Sequence, residues 1–220
     1  MITDYSIQAV AINAIPLIFA ITIHEAAHGY AARKFGDNTA YMLGRVSLNP
    51  AKHIDPVGTI LLPLALILMQ SPFLIGYAKP VPVNFGRLKN PRIDSIWVAL
   101  AGPGSNFFQA LIWLILLILL MGFGIDEKFL ISMSQAGISW NLSLLVFNLL
   151  PIPPFDGGRV LSGLLPTRQS LAFDRLEKWG FYIVLGLMFT GIISNLWMAP
   201  LMSFFQWLIL LLTSPLQMIF

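Results

Sequence analysis

The chain has no cysteine, and only 10% of its 220 residues are charged. The first absence excludes disulfides, thiolate metal sites and cysteine nucleophiles. The second excludes a water-facing surface, because soluble domains carry about 25% charged residues. No basic run interleaved with exposed aromatics is present, so nucleic-acid binding has no footprint here. The opening residues, Met1 to Ser6, lack the Lys/Arg-rich start of a secretory signal, and the first apolar segment reads as a retained membrane span. In place of charge the chain carries 57% hydrophobic residues. The solvent that suits such a composition is a lipid bilayer.

Apolar stretches run at 8–31, 57–76, 95–123, 133–150, 179–199 and 201–220. A helical span needs about 20 apolar residues. The expected fold is therefore an all-α polytopic membrane protein with five to six transmembrane helices. It forms a single integral-membrane domain over 1–220. The doubtful segment is 57–76, which Pro63 and Pro72 interrupt, since proline removes a backbone donor and kinks or ends a helix. Loop charges bear on it. Arg33, Lys34, Arg45 and Lys52 precede it, and Lys79, Arg87, Lys89 and Arg92 follow it. If 57–76 enters and returns, twelve of the thirteen positive residues share one face, as the cytoplasmic enrichment in Lys and Arg favours. Re-entrant backbone is tolerated where protein or water shelters it. The expectation is a re-entrant 57–76 with the N-terminus outside, and short β segments at the membrane surface over 41–48 and 77–84. Prolines in 77–84 leave an unpaired edge on which a substrate strand could add.

The chemistry concentrates in His24-Glu25-Ala26-Ala27-His28, an H-E-x-x-H pattern. On a helix, residues four apart share a face, so both imidazoles reach one metal ion. Glu25, beside the first ligand, can take a proton from a zinc-activated water as general base. The chain has three histidines, two of them here, in a segment with no charge between Asp4 and Glu25. Ionisable groups inside a membrane helix are costly and mark function. Two histidines and a water leave a tetrahedral zinc one ligand short. Among the candidates, Asp156 stands in Pro151-Ile152-Pro153-Pro154-Phe155-Asp156-Gly157-Gly158, non-helical backbone after an apolar run, which implies a sheltered polar cavity. His53 and Asp55 are its main competitors.

These two motifs, together with Asn148-Leu149-Leu150 before the prolines and Ala101-Gly102-Pro103-Gly104-Ser105-Asn106, resemble the site-2 protease family of intramembrane zinc metalloproteases. The resemblance implies a three-helix catalytic core within about 8–160, with accessory spans at about 179–220. It implies one Zn2+ per chain held by His24, His28 and Asp156, with Glu25 as general base or acid. Asn148 would position substrate or stabilise the tetrahedral intermediate, while Asn106 would cap or bond between helices. The implied reaction is hydrolysis of peptide bonds in or near transmembrane segments of a membrane-protein or peptide substrate. The implied location is a prokaryotic plasma membrane, with the site near the cytoplasmic face. The form is a minimal one, without PDZ or nucleotide-sensing domain. A zinc transporter would need polar groups along a path across the bilayer, and the last two apolar stretches hold chiefly Asn195 and Gln206.

Overall fold

A computed structural model describes residues 7–61, 65, 69 and 79–219. The described residues form helices joined by turns, with no strand among them. Four helical stretches are long and apolar enough to cross a membrane: Gln8–Lys34, Pro91–Gly122, Lys128–Asn148 and Ile193–Gln217. Large apolar side chains such as Phe108, Ile112, Phe123, Trp207 and Leu212 point outward from them. That is the arrangement a lipid solvent selects and water forbids. The protein is a multi-pass membrane protein.

Three helices make the centre. Helix α1, Ile7–Lys34, packs on both α2, Pro91–Gly122, and α3, Lys128–Asn148, and α2 and α3 pack on each other. Small residues permit the close approach. Gly137 of α3 lies against the ring of Trp113, so near that a Cβ there would fall 2.3 Å from Trp113 Cδ2. Ala110 and Leu114 of α2, Leu142 of α3 and Ile209 of the last helix pack together in the core of the bundle.

After α3 the chain turns through Leu149–Phe155 and enters α4, Asp156–Leu164. This turn folds back tightly on itself. A Cβ on Gly157 would sit 2.1 Å from Leu149 O, and one on Gly158 would sit 2.4 Å from Pro153 N. Both positions therefore demand glycine. Arg92 fixes the far end of α4, its Nε donating to Gly163 O at 2.9 Å and its Nη2 to Leu165 O at 2.6 Å. A short helix α5, Thr167–Asp174, leads to α6, Glu177–Phe189, whose Gly180 packs directly on Pro153 O.

The segments expected to span at 179–199 and 201–220 divide differently. Helix α6 has 13 residues, too few for a full crossing. The break falls at Gly191, with φ +72°, rather than at Pro200. From there a π-turn, Ile193–Met198, runs straight into α7, Ala199–Gln217. Pro200 follows that π-turn directly, where the wider turn accommodates its ring and its missing N–H. One long span replaces the second half of the expected pair. Most of 57–76 lies outside the described residues.

The expected β segment at 41–48 is also replaced. Asp37 ends the turn after α1, and its Oδ1 accepts from the Thr39 N–H at 2.9 Å, starting a single helical turn, Thr39–Met42. Gly44, at φ +63°, then reverses the chain. The turn set up locally by Asp37 thus wins over β propensity. The second segment is irregular over 79–84 and pairs with no strand among the described residues, and 77 and 78 lie outside them. It is pinned as a strap. The Lys79 N–H donates to His53 O at 2.9 Å, Arg45 Nη2 donates to Lys79 O at 2.9 Å, and the Asn84 N–H donates to Asp37 Oδ2 at 2.7 Å.

Asp37 holds both the helical turn and the end of the strap. Burial works to raise its carboxyl pKa. Hydrogen bonds from the Thr39 hydroxyl, the Thr39 N–H and the Asn84 N–H, with the Arg87 charge, outweigh that and hold it below the ordinary value. A carboxyl lowered by folding stabilises the protein fully above its unfolded pKa, near 4, and loses that contribution as pH falls through the folded value. Asp37→Ala should therefore destabilise the protein by about 1–3 kcal/mol at pH 7. The gap between the melting curves of wild type and variant in detergent should narrow below about pH 4.

Candidate metal centre

Helix α1 carries Ala20, His24 and His28 on one face, four residues apart, directed at α2 and α3. The ring nitrogens facing away from the centre are both engaged. His28 Nδ1 lies 2.7 Å from the backbone oxygen of Val98 on α2. A carbonyl only accepts, so Nδ1 carries the hydrogen and Nε2 presents its lone pair. His24 Nδ1 lies 2.6 Å from Asn106 Oδ1 in the fully buried interior.

The two Nε2 atoms converge 3.0 Å apart. The Leu149–Phe155 turn brings Asp156, the first residue of α4, against them. Its Oδ2 is 3.2 Å from His24 Nε2 and 3.4 Å from His28 Nε2. That oxygen is buried and has no hydrogen-bond partner. Among the described residues this trio is the one group of His and acidic side chains assembled closely enough for a metal ion.

These residues fit zinc. Bonds of 2.0–2.1 Å in a tetrahedron place ligand atoms about 3.3–3.4 Å apart, close to the three separations here, 3.0, 3.2 and 3.4 Å. Nitrogen and carboxylate oxygen donors with room for a fourth ligand are a zinc-type set. Packing also keeps the centre clear on the α2 side. A Cβ on Gly102 would stand 2.4 Å from His28 Nε2 and 2.6 Å from His24 Nε2, so α2 must present bare backbone there.

Beside the trio opens a cavity of about 420 Å³, lined by Glu25, Val81, Phe85, Asn148, Asp156 and Arg159 among others. Glu25 projects into it, and its Oε2 accepts from the Val81 N–H of the strap at 2.7 Å. Pro80 and Pro82 on either side have no N–H to offer. The donor expected to serve an edge strand is therefore turned onto Glu25. Asn148 ends α3 at the cavity, its Nδ2 donating to Leu144 O at 2.9 Å. Arg159 spans the rim, 4.8 Å over the Phe85 ring and 3.4 Å from Glu177.

The two competitors of Asp156 serve elsewhere. His53 is buried with Nε2 donating to Ser47 O at 2.8 Å. Asp55 Oδ1 accepts from the Val57 and Gly58 N–H groups at 3.0 and 2.7 Å, capping the turn that follows.

The model of a peptidase family, M50, matches residues 12–139 and 125–191, and so takes in His24, Glu25, His28 and Asp156. The chain belongs to peptidase family M50. Relatives carrying the name "Putative zinc metalloprotease" include YwhC of Bacillus subtilis, 38% identical over 208 residues, which are 92% of this chain and 87% of that one. They also include Rip2 of Mycolicibacterium smegmatis, 30% identical over 195 residues, 86% of this chain and 70% of that one. No solved structure matches. As an M50 peptidase the protein is a zinc-dependent hydrolase, of the site-2 protease kind that its motifs resemble.

Sequence reasoning passed over three residues that shape this centre: Gly102 as the bare surface under the imidazoles, Val81 as the donor to Glu25, and Asn141. The contact at Gly102 yields a sharp expectation. Gly102→Ala should displace the imidazoles and lower zinc content at least tenfold, in the range that loss of outer-shell support causes. Metal analysis of detergent-purified protein measures it.

Proposed function

We propose that the protein hydrolyses peptide bonds within or beside transmembrane segments of membrane-protein or peptide substrates, with one zinc ion per chain held by His24, His28 and Asp156. The observation that carries this reading is the convergence of three acceptor atoms, two imidazole Nε2 and one partnerless carboxylate oxygen, next to Glu25 inside an apolar helical bundle.

Zinc held there supplies Lewis acidity, which polarises a carbonyl and brings the pKa of water down to about 7. Glu25 is the general base: its carboxylate faces the same cavity and takes the proton of the attacking water, then returns it to the leaving amine. The Val81 N–H donates to Oε2 and leaves Oε1 to serve the reaction. Asn148, at the end of α3, faces the cavity from the opposite helix and orients the scissile strand. An extended stretch of substrate suits a cavity roofed by the strap, because a helical stretch hides its carbonyls in its own hydrogen bonds.

The loops that carry Arg33, Lys34, Arg45, Lys52, Lys79, Arg87, Lys89 and Arg92 gather at the end of α1 nearest His28. By the enrichment of cytoplasmic loops in Lys and Arg, the centre lies near the cytoplasmic face of a prokaryotic plasma membrane.

The decisive comparison is between Glu25→Gln and Asp156→Ala. Glu25→Gln should keep its zinc and lose cleavage of a model transmembrane peptide by at least a hundredfold. Asp156→Ala should lose both zinc and cleavage. Full cleavage by Glu25→Gln would refute the role given to that carboxylate, and zinc retention by Asp156→Ala would refute the ligand set.

A further inference from the structure

Behind His24 lies a buried polar chain that crosses all three central helices. Asn106 of α2 and Asn141 of α3 are both 0% exposed. Asn106 Nδ2 donates to Ala20 O of α1 at 3.2 Å and to Asn141 Oδ1 at 3.0 Å. Asn141 Nδ2 in turn donates to Gly137 O at 2.9 Å. Every stated partner has a defined role.

The chain has only one consistent hydrogen-bond assignment. Ala20 O and Gly137 O are carbonyls and can only accept. Gly137 O therefore takes the amide nitrogen of Asn141, which turns Asn141 Oδ1 toward α2 as an acceptor. Asn106 then faces two acceptors, Ala20 O and Asn141 Oδ1, and must direct both hydrogens of its Nδ2 at them. Its Oδ1 is left facing His24, so His24 Nδ1 must be the protonated nitrogen and His24 Nε2 the one with a free lone pair. A flipped Asn106 would set oxygen against two oxygens in a site with no water exposure.

We infer that Asn106 and Asn141 are positioning residues for the metal centre, together fixing the tautomer and ring orientation of His24 so that its Nε2 is committed to the metal. The inference rests on the reading of His24 as a metal ligand. His28 obtains the same commitment from a backbone carbonyl, that of Val98. His24 has no carbonyl at its Nδ1, and the two amides supply the equivalent from a neighbouring helix. They do so without adding charge to an apolar bundle, where a carboxylate in the same place would cost more to bury.

The test is zinc affinity of the full chain in detergent, read by competition with a chelator, for wild type, His24→Ala, Asn106→Leu, Asn106→Asp and Asn141→Leu. Asn106→Leu removes the acceptor and should weaken zinc binding roughly 10–100-fold, the usual effect of losing an outer-shell partner. Asn106→Asp, kept in its neutral acid form by the apolar bundle and the two facing oxygens, retains an acceptor at Nδ1 and one O–H for Asn141 Oδ1, and should bind within about threefold of wild type. Asn141→Leu leaves Asn106 tied to Ala20 alone and should fall between the two. Should Asn106→Leu fail to fold, the order Asn106→Asp above Asn141→Leu still supports the inference, and the reverse order overturns it. Equal affinities for wild type and Asn106→Leu, with His24→Ala impaired, would overturn it alone. They would mark the asparagines as helix-packing groups, visible only in apo-protein melting. Equal affinities for wild type and His24→Ala would overturn the metal-site reading as well.

Discussion

Three lone-pair donors aimed at one point in an apolar bundle repel one another unless a cation lies between them. That constraint organises the molecule. His24 Nε2, His28 Nε2 and Asp156 Oδ2 stand 3.0–3.4 Å apart, and water is not at hand to screen them. Each must therefore be held from behind by something that cannot relent: a main-chain carbonyl for His28, a pair of buried amides for His24, and a glycine-bearing turn for Asp156. The close approach of α1, α2 and α3 follows from that need as much as from apolar packing. Hydrocarbon tails are as apolar as the helices, so burial of Leu and Ile alone gives little drive to bring them together.

The same reasoning explains why so much of the polar structure lies at one end. Asp37, Arg45, Arg92 and Arg159 make their bonds to turns and strap segments around the centre. Ala110, Leu114, Leu142 and Ile209 fill the core of the bundle beyond the centre. The strap adds a second constraint. Its two prolines leave the Val81 N–H as the donor between them, and that donor holds Glu25. A substrate that paired with this segment would compete for the same N–H.

Legibility in the sequence followed the range of the interaction. H-E-x-x-H is a local pattern whose geometry any helix imposes, so His24, Glu25 and His28 were readable from spacing alone. Asp156 was readable because prolines and glycines announce a turn, and a turn at membrane depth needs a polar reason. The β segment at 41–48 was misread because the Asp37 side chain, accepting from the Thr39 N–H, sets up a helical turn that competes locally with strand propensity, and no partner strand lies among the described residues. The boundary near the C-terminus, drawn between 199 and 201, differs from the one in the structure. After the π-turn Pro200 breaks nothing, whereas Gly191 takes a left-handed φ that ends α6.

Gly102, Asn106 and Asn141 show where local reading stops. Each is ordinary in its own helix: a small residue, an amide, another amide. Their meaning depends on the rotation of α2 against α1 and of α3 against α2, which no single helix specifies. Once the helices are registered, the three residues act on the same two rings. Gly102 admits them by having no Cβ, and the amides orient one of them by having nowhere else to donate. Metal affinity at the proposed site would thus be a property of helix register. A change that rotates α2 by even part of a turn would carry Gly102, Val98 O and Asn106 away from the histidines together, and the centre would lose its clearance and both of its tautomer locks at once.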